Sequence, residues 1–300
     1  MFKRGIMVLM CTKEMLEKAG KEKYGIGLFV IFELSFLKPV IQAAEESRSP
    51  VMIGATYGLA EAGGGESFLA HMRVAAEEAK VPVTVHLDHG KTFEQVMTCI
   101  KYGWSSVMFD AANKPLKENI KLTREVARAC HAAGIPIEAE LGEMPVVKDQ
   151  DNAEFPKEMM TKPEEAGTFV KETGIDILAI SVGQIHHFPV MEKGMHPVKR
   201  VAKLDFERLK KIREVTGDVY LCTHASSHVP FDALKKAISM GIVKLNIGTA
   251  LSSVWTDTLR KTIIENPNEV MAHKVVEPAE KAVKKEVAGY LKVLGSTGKA

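Results

Sequence analysis

The chain has 300 residues, of which 46% are hydrophobic, 26% charged and 6% aromatic, a balance that excludes disordered, collagen-like and disulfide-scaffold proteins. Forty basic and thirty-eight acidic residues give a net charge of +2, so no strong overall field attracts nucleic acid or an acidic membrane. No apolar run approaches the ~20 residues that cross a bilayer, and no CxxC pair occurs, which predicts a cytoplasmic protein with reduced thiols at Cys11, Cys99, Cys130 and Cys222.

Short apolar runs rich in β-branched residues alternate with segments of helical periodicity. The runs predict strands at 26–32, 50–53, 82–87, 105–109, 135–139, 177–182, 219–223 and 243–247. The periodicity predicts helices at 34–47, 66–79, 92–102, 116–133, 163–173, 206–215, 231–240, 250–265 and 277–292. Because parallel neighbouring strands need crossover helices, this pattern predicts one α/β domain over 1–300, a (β/α)8 TIM barrel with extra C-terminal helices. The alternative, an open doubly wound sheet, lacks its GxGxxG fingerprint here.

Polar side chains end six consecutive predicted strands, from the third to the eighth. Catalytic residues of a TIM barrel lie at the C-terminal ends of its strands, so these side chains are expected on one rim. The polar strand ends are Asp88 with His89, Asp110, Glu138 with Glu140, His186, His224 and Asn246.

Three of these strand ends carry a histidine. A single histidine is more often a buried group with a hydrogen-bond partner, but three on different strands favour a catalytic Zn²⁺ site with one open position. We therefore predict that His89, His186 and His224 bind Zn²⁺. Glu140 is either a further oxygen ligand or an acceptor that holds an imidazole tautomer.

The remaining polar groups suggest proton transfer and anion binding. Asp88 can move a proton to and from a substrate hydroxyl, unless it serves only as a structural partner. Asp110 and Glu138 are interpreted as groups that support the ligands from behind. After the eighth strand, Gly248 and Thr249 open a helix whose N-terminus can bind a phosphate, although the same pair also describes an ordinary N-cap.

These motifs together resemble the class II (zinc-dependent) fructose-bisphosphate/tagatose-bisphosphate aldolase family. The likeness covers most of the chain after residue 80. The motifs that carry it include HLDHG at 86–90, SVMFDA at 106–111, EAELG at 138–142, ETGID at 172–176, KLDFERLKKI at 203–212 and KLNIGTAL at 244–251.

The resemblance implies a lyase of carbohydrate metabolism and glycolysis that cleaves a ketose phosphate by a reversible retro-aldol reaction. In that reaction Zn²⁺ polarises the ketone and stabilises the enediolate. By position, Asp88 would be the acid/base residue and Asn246 would contact the ketose donor. A homodimer or homotetramer is implied, with a monovalent cation near the phosphate as a possible second cofactor. The residues implied near the phosphate are Gly183, Ser226, Ser227, Gly248 and Thr249.

The sequence departs from the family around the phosphate. His187, Ala225 and His228 follow the sixth- and seventh-strand ligands where the family has glycines, which permit positive φ and close backbone approach. A reshaped phosphate site is therefore expected. The loop after EAELG also lacks the family's Gly-Gly pair and the acid that follows it, which leaves as candidate substitutes Glu143, Asp149, Asp151 and Glu154.

Two alternatives stay open. The altered glycines suggest a metal-dependent aldolase or epimerase for non-phosphorylated sugars or sugar acids, with His187 and His228 contacting hydroxyls or a carboxylate. The missing loop acid suggests a non-catalytic subunit related to the aldolases.

Overall fold

The computed structural model describes residues 12–147, 155–187, 198 and 200–300. Eight parallel strands pair in chain order, and the first pairs with the last to close a barrel. The TIM-barrel prediction is confirmed, and all eight strands lie where the apolar runs predict them. They are β1 (Ile26–Val30), β2 (Val51–Ala55), β3 (Val83–Gly90), β4 (Ser106–Phe109), β5 (Ile137–Leu141), β6 (Ile177–Ile180), β7 (Tyr220–Thr223) and β8 (Ile242–Ile247).

Helices surround the barrel and connect its strands. Nine of the helices in the described part of the chain overlap predicted ones, whereas α1 and α3 were not predicted. Their bounds are α1 (Thr12–Glu22), α2 (Leu37–Glu46), α3 (Tyr57–Ala62), α4 (Glu66–Glu78), α5 (Phe93–Lys101), α6 (Leu116–Ala132), α7 (Pro163–Thr173), α8 (Phe206–Val215), α9 (Phe231–Ser239), α10 (Thr249–Glu265) and α11 (Ala272–Leu294).

Local chemistry explains where several helices begin. The side chains of Thr92 and Asp205 accept hydrogen bonds from backbone N–H groups in the first turns of α5 and α8. Helix α7 begins at Pro163, whose missing N–H costs nothing in a first turn, and Glu164 and Glu165 meet the positive helix end. These local interactions stabilise the first turns of the three helices.

Helix α1 covers the N-terminal end of the barrel. Its buried residues Met15, Leu16 and Ala19 pack with inward-facing side chains of the strands, such as Ile26 and Ile177. The opposite, C-terminal end therefore carries the accessible rim. A short two-stranded sheet, Val146–Val147 with His186–His187, joins the loop after β5 to the loop after β6 at this end.

The C-terminal residues return to the start of the barrel. The backbone N–H groups of Gly298 and Ala300 donate to the carbonyls of Ser47 and Arg48, between α2 and β2 (2.9 Å each). The buried hydroxyls of Ser49 and Ser296 hydrogen-bond each other at 2.8 Å. The end of the chain thus holds the connection between the first two strands.

Two sequence expectations concern membranes and thiols. None of the helices in the described ranges is long and apolar enough to cross a membrane. Cys99, Cys130 and Cys222 are buried free thiols. The fourth cysteine, Cys11, lies outside the described residues.

Gly183 shapes the rim just after β6. Its φ is +113°, and a Cβ atom there would lie 2.2 Å from the carbonyl oxygen of Lys203. Both the backbone conformation and the close approach of a second backbone segment therefore require glycine.

Replacing Gly183 tests this packing. We expect Gly183→Ala to lower the free energy of unfolding by more than about 3 kcal/mol, because strain and a backbone clash add together. Gly134→Ala is the matched control: its φ is +71° with nothing within 4 Å of the added Cβ, so it should lose only about 1 kcal/mol. Urea denaturation measures both variants, and equal losses would show that the clash has no effect.

Candidate active site

Pairs of polar residues enter the barrel interior from four strands. Alternate residues of a strand face the same side, so two residues two positions apart point inward together. The upper residue of each pair lies toward the rim, and we call these the rim set: Asp88, Glu140, His224 and Asn246. The lower residues form the inner set: His86, Glu138, Cys222 and Lys244. All eight are at most 6% exposed.

His89 reaches the site through a distortion of β3. Strict alternation would turn its side chain away from Asp88, but His89 has a φ of +51° and the β3–β4 register shifts between Leu87 and Gly90. Such irregularities re-aim side chains beside active sites. A Cβ atom on Gly90 would lie 2.7 Å from the carbonyl oxygen of Met108, so the distortion also needs this glycine.

The rings of His89 and His224 meet edge to face, with His89 Nε2 2.9 Å from His224 Nδ1. The outer nitrogens contact carboxylates: His89 Nδ1 lies 2.6 Å from Asp110 Oδ2, and His224 Nε2 lies 2.7 Å from Glu138 Oε1. Each carboxylate favours a proton on the outer nitrogen and a lone pair on the inner one. Two lone pairs at this separation repel unless a proton or a metal ion lies between them. When that proton is lost, the two inner nitrogens can instead donate their lone pairs to one divalent metal ion.

Further oxygen donors surround this pair of imidazoles. Asp88 Oδ1 lies 3.9 Å from His224 Nδ1, and one donor atom each from Asp88, His89 and His224 lie within 4.8 Å of one another. Glu140 Oε2 lies 3.8 Å from His89 Nδ1 and is buried without a hydrogen-bond partner among the described residues. Nitrogen and oxygen donors of this kind suit Zn²⁺.

His186 lies beside these donors without joining them. Its ring centroid is 6.3 Å from that of His89, and it belongs to none of the compact donor groups found in the described part of the chain. The structure thus brings two of the three predicted imidazoles into direct contact and places the third next to them.

The electrostatics of the site follow from burial and from the crowding of charges. Burial raises the pKa of Glu140 to about 8, against the opposing effect of His89. Burial opposes the charge on His89, but Asp88, Asp110 and Glu140 together raise the pKa of His89 to about 9. Burial and the neighbouring His89 lower the pKa of His186 to about 4. Without a bound metal ion, Glu140 therefore keeps its proton at neutral pH and His89 is positively charged, whereas His186 is neutral.

Two lysines contact the supporting carboxylates, and neither was among the predicted site residues. Lys91 Nζ donates to Asp110 Oδ2 at 2.5 Å. Lys244 Nζ lies 2.8 Å from Glu138 Oε2, both side chains being fully buried. Burial opposes ionisation of Glu138, but Lys244 and His224 hold the pKa of this carboxyl well below its usual range. The sequence signal that could have identified Lys244 is the presence of a lysine inside the apolar run of β8.

The residues implied near a phosphate lie around the start of α10. Gly248 is the N-cap residue, Thr249 is the first residue of the helix, and Ser227 Oγ accepts from the N–H of Ala250 at 3.1 Å. Ser226 Oγ instead donates to the carbonyl of Thr223, at 3.2 Å.

The departures from the family pattern have structural consequences in the seventh-strand loop. Ala225 has a φ of +52°, so it keeps a left-handed conformation that favours glycine. The side chain of His228 is buried. Glu143 is exposed on the loop after β5, whereas the side chain of His187 and the other candidate loop acids, Asp149, Asp151 and Glu154, lie outside the described residues.

Comparison with known proteins gives consistent matches. Residues 10–299 match the family described as Fructose-bisphosphate aldolase class-II. The chain is 36% identical over 297 residues to the fructose-bisphosphate aldolase of Geobacillus stearothermophilus, covering 98% of this chain and 99% of that one. It is 35% identical to the 6-phospho-5-dehydro-2-deoxy-D-gluconate aldolase of Bacillus subtilis (strain 168), covering 98% of each. It also resembles the solved YdjI aldolase from Escherichia coli K12, with a TM-score of 0.82, 32% identity and coverage of 98% and 100%.

The support that Asp110 gives His89 can be tested through metal affinity. Asp110→Asn removes the carboxylate that fixes the His89 tautomer, so affinity for zinc should fall about 10–100-fold. Competition with a chromophoric chelator measures this affinity. Asp232→Asn, at a side chain that is 98% exposed, is the control and should bind zinc as the parent does. Equal affinities for all three proteins would contradict the assigned role.

The raised pKa of Glu140 predicts a pH-dependent stability of the metal-free protein. The folded chain keeps this proton up to a pH of about 8, whereas the unfolded chain loses it near 4.5. Folding therefore takes up a proton between these values, and the free energy of unfolding falls as pH rises from 5 to 8. Relative to Glu140→Gln, the parent should lose more than about 1.4 kcal/mol, the equivalent of one pKa unit. Urea denaturation with a chelator present measures the difference, and a constant difference would refute the assignment.

Proposed function

Because the chain belongs to the class II fructose-bisphosphate aldolase family, we propose that it cleaves a ketose phosphate by a reversible, Zn²⁺-dependent retro-aldol reaction. Membership confirms the resemblance indicated by the motifs, and the family's members are metal-dependent lyases. The observation that carries the proposal is the contact between His89 Nε2 and His224 Nδ1, each ring backed by a carboxylate.

In the proposed site His89, His224 and the adjacent His186 would hold Zn²⁺, with Glu140 as an additional or alternate ligand. When bound, Zn²⁺ supplies a Lewis acid that draws electrons from the substrate carbonyl. Two observations support this ligand set: Glu140 Oε2 is buried with no hydrogen-bond partner in the described part of the chain, and the imidazole nitrogens face each other.

Asp88 is the proposed proton carrier. Its carboxylate accepts from Asn246 Nδ2 at 2.9 Å and stands beside the two imidazoles. Burial opposes its ionisation, but His89 and His224 lower the pKa of Asp88, so it is ionised in the resting site. In the cleavage direction it therefore takes the proton of the substrate hydroxyl, and in the condensation direction it returns this proton.

Asn246 and the start of α10 bind the donor half of the substrate in this proposal. The amide of Asn246 faces Asp88, where it can donate to a substrate oxygen. The helix N-terminus at Gly248 and Thr249 favours an anion. Gly183, Ser226 and Ser227 complete the proposed phosphate region, with a monovalent cation nearby.

We also propose that the chain acts as one domain in the cytoplasm, as a homodimer or homotetramer. The family match over residues 10–299 supports a single functional unit. The buried free thiols support a reducing compartment. Exposed apolar side chains at the end of α10 and in the turn after it support an assembly: Ile263, Ile264, Val270 and Met271.

A second candidate is a metal-dependent aldolase or epimerase for sugars or sugar acids without the usual phosphate. The alanine and histidine at positions 225 and 228 favour it, because they replace phosphate-loop glycines with side chains. The similarity to a relative named for a phosphorylated sugar acid makes a carboxylate-bearing substrate worth including in any screen. A non-catalytic role is not supported, since the chain is a member of a lyase family and retains Asp88.

One preparation, purified without chelators, tests the proposal by metal analysis and a retro-aldol screen. The panel contains fructose and tagatose 1,6-bisphosphates, 6-phospho-5-dehydro-2-deoxygluconate and the corresponding unphosphorylated compounds. We expect a three-carbon product only from protein with bound metal, with activity lost to a chelator and restored by zinc. Full turnover without metal would refute the proposal, and preference for unphosphorylated substrates would favour the second candidate.

Asp88→Asn separates proton transfer from metal binding. The kcat should fall about 10²–10⁴-fold, because an amide cannot carry the proton, while zinc content stays that of the parent. Asp232→Asn again serves as the control. Loss of zinc together with activity would instead identify Asp88 as a ligand.

A further inference from the structure

We propose that Lys244, in the inner set below the site, is a positioning residue that orients both His224 and Asn246. This inference rests on the proposed function, since it assigns these two residues to metal and substrate binding. It adds a residue that touches neither the metal ligands nor the substrate.

Lys244 is fully buried in β8 and directs its ammonium group to three partners. Nζ donates to Asn246 Oδ1 at 2.6 Å and to Cys222 Sγ at 3.5 Å, and it lies 2.8 Å from Glu138 Oε2. Two of the three N–H donors of the ammonium group are therefore used in hydrogen bonds, and the contact with Glu138 is an ion pair.

The first effect of Lys244 passes through Glu138. Lys244 holds one carboxylate oxygen, Oε2, and the other oxygen, Oε1, contacts His224 Nε2 at 2.7 Å. A carboxylate anchored in this way keeps the proton on Nε2 and presents the lone pair of Nδ1 to a metal ion. Lys244 thereby sets which nitrogen of His224 is available.

The second effect passes through Asn246. Because Lys244 holds the amide oxygen, the NH₂ group must point the other way, where Nδ2 donates to Asp88 Oδ1 at 2.9 Å and lies 3.2 Å from His224 Nε2. Without Lys244 only the hydrogen bond to Asp88 would hold the amide of Asn246, so its orientation would be less firmly fixed.

Stability alone does not explain this lysine. Interior layers of TIM barrels are usually filled by branched apolar side chains. Replacing a buried ion pair with apolar groups of similar size is often neutral or stabilising. If Lys244 served only to balance the charge of Glu138, it would not need its short hydrogen bond to Asn246. The geometry is that of a support for the two groups above it.

The test uses the full chain and four variants. Lys244→Met keeps the side-chain length but removes the donors, and it leaves Glu138 buried without a counter-charge. The double variant Lys244→Met/Glu138→Gln removes both charges, so the test continues if the single variant does not fold. Glu138→Gln is its matched partner. Thr84→Val, at a buried β3 hydroxyl with no hydrogen-bond partner among the described residues, controls for a change within the same barrel.

Three readouts follow folding by circular dichroism. Zinc affinity is measured by chelator competition, and KM and kcat are measured at saturating zinc with the substrate found in the screen. Nitrogen-15 NMR of the metal-free protein reports whether His224 carries its proton on Nε2. A role limited to stability would change none of these in a folded variant.

We expect Lys244→Met to lose the Nε2–H signal of His224 and to bind zinc 10–100-fold more weakly. The double variant should have a KM at least tenfold above that of Glu138→Gln, because only the former frees the Asn246 amide. Thr84→Val should stay within twofold of the parent. Two results together would overturn the inference. The first is an unchanged His224 signal and zinc affinity in Lys244→Met, and the second is an equal KM for Glu138→Gln and for the double variant Lys244→Met/Glu138→Gln. A parent that neither binds zinc nor cleaves any sugar would refute the proposed function, while the NMR comparison would still decide the role of Lys244.

Discussion

The 2.9 Å contact between the inner nitrogens of His89 and His224 determines what the surrounding barrel must supply. Two imidazoles facing each other in this way need a proton or a metal ion between them, and each is oriented by a carboxylate on its far side. Those carboxylates are buried, so each needs a cation in turn, which Lys91 and Lys244 provide. Positive and negative groups therefore alternate outward from the contact between the two imidazoles, and each group is held in place by the next one.

The barrel itself could be predicted because its strands are buried on both faces. Such strands appear as continuous apolar runs, and all eight runs correspond to strands. Helix α7 matches its prediction at both ends, since Pro163 and Gly174 mark them chemically. Helix α1 was missed because its three buried apolar residues stand among lysines and glutamates, and α3 because six residues are too few to show periodicity.

The rim of the site could be predicted from strand ends, but of the inner set below it only Glu138 could. Asp88, Glu140, His224 and Asn246 follow or end apolar runs, so topology alone brings them together. The role of Lys244 depends on Glu138, which lies more than a hundred residues away, and no local pattern records that pairing. The inward turn of His89 likewise depends on a register shift against β4, of which the sequence shows only Gly90.

The pairing of β1 with β8 and the return of Gly298 and Ala300 to the turn before β2 have a consequence for biosynthesis. On the ribosome, the edge of β1 has no permanent neighbour on one side until β8, more than two hundred residues later, has been translated. Open strand edges are sites of unwanted association during folding. The nascent protein is therefore expected to carry this open edge until β8 has been translated, so the barrel closes only after all eight strands have been made.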